Sequence, residues 1–142
     1  MIKTIQLGDA EATLAINTIR SELIARNKTA SIAVGDRHGE LIAVLKMDGA
    51  PMNSVLVATN KVFTSARTGG ESGDIGRNSL KEGWDLANFG DSRYIGWEGG
   101  AAVIFQGQVV GAVAVSGLTG EEDLELAKLG INAILATAEA AQ

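Results

Sequence analysis

The sequence predicts one α+β domain, an antiparallel sheet built from two β-hairpins and covered by helices. Three observations predict it. Short apolar runs come in two pairs, each pair joined by turn residues. Apolar residues recur at helical spacing before, between and after these pairs. The order helix, hairpin, helix, short helix, hairpin, helix has none of the strand-helix-strand rhythm of a doubly wound parallel sheet. A chain of 142 residues fits a single domain, 1–142.

Asp9 suits the N-cap of a first helix, with Ala12, Ile16, Ile19 and Leu23 as its apolar stripe. That helix should fade near Arg26-Asn27-Lys28. Ser31–Gly35 and Leu41–Leu45 read as a hairpin around Asp36-Arg37-His38-Gly39. Both runs are nearly continuous in apolar residues, so both faces of both strands are expected to be covered.

Pro51 suits the first position of a second helix. Met52, Val55, Leu56, Thr59, Val62, Phe63 and Ala66 give it an apolar stripe, with Ser54, Lys61 and Ser65 on the other face. It should end at Thr68-Gly69-Gly70. The glycines of 69–77 argue against regular structure there. Residues 78–88 read as a short helix capped by Asn78 and weakened at Gly83. Residues 89–100 read as a glycine- and aromatic-rich loop.

Ala101–Phe105 and Val109–Val115 form the second predicted hairpin, turning at Gln106-Gly107. Thr119 with Glu122 resembles a capping box for a last helix. Its stripe is Leu124, Ala127, Ile131, Ile134, Leu135 and Ala138.

Composition excludes several functions. The chain has no cysteine, which removes disulfides, thiolate zinc sites and a cysteine nucleophile. Its net charge is −5, and residues 71–142 hold four Lys/Arg against eleven Asp/Glu. An acidic chain without a basic stripe is a poor nucleic-acid binder. No apolar run reaches the ~18 residues of a membrane span. The first residues show no long apolar signal core, so the expected location is cytoplasmic.

Three segments in order resemble the GlcG/HbpS family: IAVGDRHGELIAVLKMDGAP at 32–51, VATNKVFTSART at 57–68 and GGAAVIFQGQVVGAVAVSGLTGEEDLELAKLGINAI at 99–134. The resemblance spans nearly the whole chain. It implies a profilin-like fold, assembly into homo-oligomers and, in some members, heme binding. The chain departs from the family pattern at Ala102, where relatives often have Pro. It also lacks their Pro-Gly before the glycine pair.

Candidate chemistry is sparse. His38 is the sole histidine and reads as a turn residue before it reads as a metal or heme ligand. Met47, Met52 and Tyr94 are the other conceivable heme ligands, with Met52 assigned to core filling. The family pattern places Lys61 on the central helix. There Lys61, and Arg67 further along, could hold a carboxylate or a heme propionate. The acids Glu121–Asp123 are explained by the helix dipole without a metal. Gly99-Gly100 suits close approach of a ligand or a backbone. Trp84, Phe89, Tyr94 and Trp97 suit an apolar pocket or a subunit interface equally.

The expected ligand-binding residues are therefore Lys61, Arg67, Tyr94, Trp97, Gly99 and Gly100, with no metal site and no assigned catalytic residue. The expected function is small-molecule binding in a homo-oligomer, with heme or another tetrapyrrole as the candidate ligand. The alternative is a small enzyme acting on an organic acid, with Lys61 or an acid as its acid–base group.

Overall fold

The computed structural model describes residues 1–142. Strand β1 (Ser31–Gly35) turns into β2 (Leu41–Lys46). The Asp36 carboxylate shapes that turn by accepting the amides of His38 at 2.8 Å and Glu40 at 3.2 Å. Strand β3 (Gly100–Phe105) turns into β4 (Gln108–Ser116) through Gln106 and Gly107, whose φ angles are 50° and 73°. The hairpins join along β1 and β4, giving an open sheet of order β2-β1-β4-β3 with every neighbour antiparallel.

Side-chain size alternates along the two central strands and makes the two faces unlike. Ile32, Val34, Val113 and Val115 point to one face, where helices α1 (Asp9–Ala25) and α4 (Gly120–Ala140) pack in the larger core. Ala33, Ala112 and Ala114 point to the other, against Ala58, Val62 and Ala66 of α2 (Ser54–Thr68). Helix α3 (Ser72–Glu82) follows α2, and a short 3-10 turn spans Leu86–Phe89. No helix is long and apolar enough to cross a membrane.

Several expectations need correction. Strand β1 is buried throughout, but β2 is an edge strand with residues exposed to solvent. Glycine-rich 72–77 is helical, not irregular. Gly83 is the left-handed C-cap of α3, with φ 73°, and not a flaw inside a later helix. Gly8 precedes α1 as its cap, and its amide is held by the Glu11 carboxylate at 2.9 Å.

The largest correction concerns the buried face of α2, which is wider than the expected stripe and takes in its polar side. The helix buries Ser54, Ala58, Lys61 and Ser65 beside the expected Val62, Phe63 and Ala66, leaves Leu56 exposed, and begins after Met52, which is also exposed. A sheet face of alanines accepts the helix face with the smaller side chains, because these allow close approach. The polar groups carried inward find partners, as with Ser54 Oγ and Ser31 Oγ at 2.7 Å.

Candidate functional site

Lys61 lies at the centre of the site. It occupies the buried face of α2 at 2% exposure. Its Nζ donates to the Val115 carbonyl at 3.0 Å and to Asp123 Oδ2 at 3.2 Å. Asp123 stands in the first turn of α4, equally buried, and its other oxygen accepts the Leu118 amide at 3.1 Å. The pair thus ties α2, the end of β4 and the start of α4 together. Burial holds the Lys61 ammonium below the ordinary lysine range, against the opposing pull of Asp123 and Glu98. Burial likewise lifts the Asp123 carboxyl above the usual carboxylate range, against Lys61 and the Leu118 amide.

The two glycines make room for this pair. Gly99 has φ 134°, and a Cβ there would fall 2.4 Å from Lys61 Nζ and 2.8 Å from the Val115 carbonyl oxygen. A Cβ on Gly100 would fall 2.9 Å from the Lys61 Cβ and carbonyl oxygen. Ser72 braces the same segment. Its hydroxyl donates to the Trp97 carbonyl at 2.6 Å and accepts the Gly100 amide at 3.0 Å.

Above the pair opens a cleft of about 540 Å³. Lys61 and Asp123 line it with Ser54, Val57, Trp97 and Ser116, among others. The Trp97 side chain stands 67% exposed. The cleft combines one buried cation, the carboxylates of Asp123 and Glu98, two serine hydroxyls and a flat indole.

The six expected site residues therefore separate. Lys61 and Trp97 line the cleft, and Gly99 and Gly100 pack beneath it. Tyr94 instead stacks on Phe89 at 4.4 Å and meets Phe63 edge-on at 5.0 Å, while Trp84 meets Phe89 at 5.8 Å. These aromatics pack on one another and pin the loop to α2, whereas Trp97 stays apart from them. Arg67 lines a different groove. Its Nε donates to the His38 carbonyl at 2.9 Å, and its guanidinium lies 4.5 Å from the Phe63 ring centre.

Met52 is 92% exposed, not core, and Met47 is buried in the larger core. No cluster of three or more His, Cys, Asp or Glu residues is arranged to hold a metal ion.

Asp123, Ser54 and Ser116 were not among the expected site residues. Asp123 carried a signal all the same. It shares the register of Leu126, Ala127, Gly130, Ile131 and Ile134, the buried face of α4. An acid on the apolar stripe of a helix needs a buried partner.

Comparison with known proteins agrees with this architecture. The family model described as "Haem degrading protein HbpS-like" matches residues 7–132. The chain belongs to the HbpS-like family. Protein GlcG of Escherichia coli is 32% identical over 116 residues, covering 78% of this HbpS-like chain and 81% of GlcG. The crystal structure of Klebsiella pneumoniae ORFY superposes with a TM-score of 0.81 at 29% identity, covering 96% and 97% of the two chains. The PduOC:heme complex shares the fold at a TM-score of 0.81 and 18% identity, covering 91% and 95%.

Proposed function

We propose that this chain is a small-molecule-binding domain whose ligand lies in the cleft above Lys61 and Asp123. The observation that carries the reading is a buried ion pair, each side chain 3% exposed, at the floor of an open cleft. Buried charges are retained at a cost to stability, so their place beneath an accessible cavity favours a binding role. Lys61 can meet a ligand carboxylate, and Trp97 offers a flat apolar face beside it.

Heme is the candidate ligand that the relatives support, through the family's description and the heme complex of PduOC. Trp97 offers a face to a flat ring, and Lys61 with the hydroxyls of Ser54 and Ser116 would meet its propionates beside the carboxylates of Glu98 and Asp123. It does not fit an iron ligated by His, Tyr, Met or Cys, since none of these lines the cleft. Any tetrapyrrole here would be held by stacking and its carboxylates. A smaller organic acid meets the same groups. Association between copies belongs to the same reading, supported by the exposed Met52 and Leu56 next to lining residues.

The enzymatic alternative rests on the same geometry, an ammonium and a carboxyl group 3.2 Å apart at the cleft. Burial draws the Lys61 and Asp123 protonation equilibria toward one another, as in an acid–base couple acting on an organic acid.

Titration with hemin, followed by visible absorption beside a thermal-shift panel of small organic acids, tests the proposal. A saturable response at one ligand per chain, weakened in Trp97→Ala, is expected. Failure of hemin and of every acid to bind would sink it. Turnover of an acid that binds, abolished in Lys61→Met, would move the reading to the enzyme.

A further inference from the structure

A second groove, of about 570 Å³, is lined by Lys3, Arg37, His38, Arg67, Gln108 and Val109, among others. It shares no residue with the Lys61 cleft. The chain carries a net charge of −5, yet no Asp or Glu lines this groove. Its three cations take part in no salt bridge. Of the nine other Lys/Arg side chains, Arg26, Lys28, Lys61, Arg77, Arg93 and Lys128 pair with an acid, and Arg20, Lys46 and Lys81 stand singly. Asp91 lies within electrostatic range of Arg67, but Arg93 holds its carboxylate at 2.9 and 3.1 Å.

Arg67 is pre-positioned, and Arg37 is left without a partner. The Arg67 guanidinium is fixed by its bond to the His38 carbonyl and by the Phe63 ring, which leaves its terminal nitrogens free of protein acceptors. The Arg37 Nε is buried and has no hydrogen-bond partner. An unpaired buried donor of a charged group is costly and marks a place where an acceptor is missing.

We infer that this groove binds a small phosphate-bearing anion, with Arg37 and Arg67 as its principal donors and Lys3 and His38 at its edge. Guanidinium forks match phosphate oxygens, and several uncompensated cations match the multiple charge of phosphate better than the single charge of a carboxylate.

The test is calorimetric titration of the full chain with inorganic pyrophosphate at low salt, where exposed charges are least screened. One saturable site is expected. It should weaken at least tenfold in Arg37→Gln and in Arg67→Gln and stay unchanged in Trp97→Ala. Circular dichroism checks that each variant is folded, and Lys3→Gln replaces any that is not. Absence of binding, or binding unchanged in the folded groove variants, overturns the inference. Citrate competing as well as pyrophosphate overturns the phosphate assignment. None of these outcomes bears on hemin or organic-acid binding at the Lys61 cleft, so the two readings fail separately.

Discussion

Lys61 Nζ and Asp123 Oδ2 face each other across 3.2 Å, with each side chain 3% exposed. The contact joins the middle of α2 to the first turn of α4. Removing one partner leaves a buried charge without its counter-ion. Lys61→Met and Asp123→Leu should each lower stability by about 3–5 kcal/mol. The double variant should recover that loss and exceed the stability of the natural chain, because two apolar side chains of similar volume need no counter-ion. Urea unfolding of the three variants checks this. A double variant as unstable as the sum of the single ones would contradict it.

The same pair sets a pH dependence. The Asp123 carboxyl is lifted by burial, so its contribution to stability is full below the unfolded carboxylate value and fades as pH rises through the folded one. The Lys61 ammonium is held down by burial, so its contribution is full above the unfolded lysine value and fades as pH falls through the folded one. Between the two folded values both groups are charged, and their desolvation weighs against the fold. The stability advantage of the Lys61→Met, Asp123→Leu double variant over the natural chain should therefore peak in that middle window. It should shrink toward acid and toward alkali. An advantage that does not vary with pH would contradict the assignment.

Gly99 allows no side chain. Its φ of 134° is strained for other residues, and a Cβ would meet Lys61 Nζ at 2.4 Å. Gly99→Ala should cost about 2–4 kcal/mol and weaken cleft binding. Gly70→Ala is the control, since nothing lies within 4 Å of a Cβ there. It should leave stability unchanged or raise it by roughly 0.4–1 kcal/mol. Thermal unfolding of the two variants separates these effects.

Gly76 and Gly96 touch backbone to backbone. A Cβ on Gly76 would fall 2.2 Å from the Gly96 carbonyl oxygen. Gly76→Ala should push α3 away from the loop that carries Trp97. The expected result is a more solvent-exposed tryptophan emission and weaker ligand binding, with far-ultraviolet circular dichroism largely retained. An unchanged emission spectrum would show that α3 does not position Trp97.

Both hairpins are legible in the sequence, because apolar runs flank turns that Asp36, Gly39 and Gly107 can make. The ends of α2 and α4 are legible from Gly69 and from Thr119, whose hydroxyl accepts the Glu122 amide at 3.2 Å. Hydrophobicity reads Val62, Phe63 and Ala66 of the buried face of α2 but not Ser54, Lys61 and Ser65. Met52 and Leu56 are more apolar than Ser54 and Lys61, but the alanine face of the sheet selects small side chains. Helix α3 is hidden because its glycines serve contact, Gly76 with Gly96, rather than flexibility. Of the site, Lys61, Trp97, Gly99 and Gly100 are legible. Asp123 is obscured by Glu121 and Glu122, its acidic neighbours at the same helix start. Arg67 stands six residues beyond Lys61, roughly 120° round the helix, and Tyr94 is held away by aromatic stacking on Phe63 and Phe89.

The cleft over Lys61 and Asp123 is the proposed ligand site. The most direct measurement is the change in backbone amide chemical shifts when the isotope-labelled chain is titrated with gallium protoporphyrin, a diamagnetic stand-in for heme. A ligand in this cleft should give saturable shifts largest at Gly96–Glu98 and at Ser116–Gly120. Shifts centred instead on Arg37, His38 and Arg67, or on Phe89–Tyr94, would contradict it.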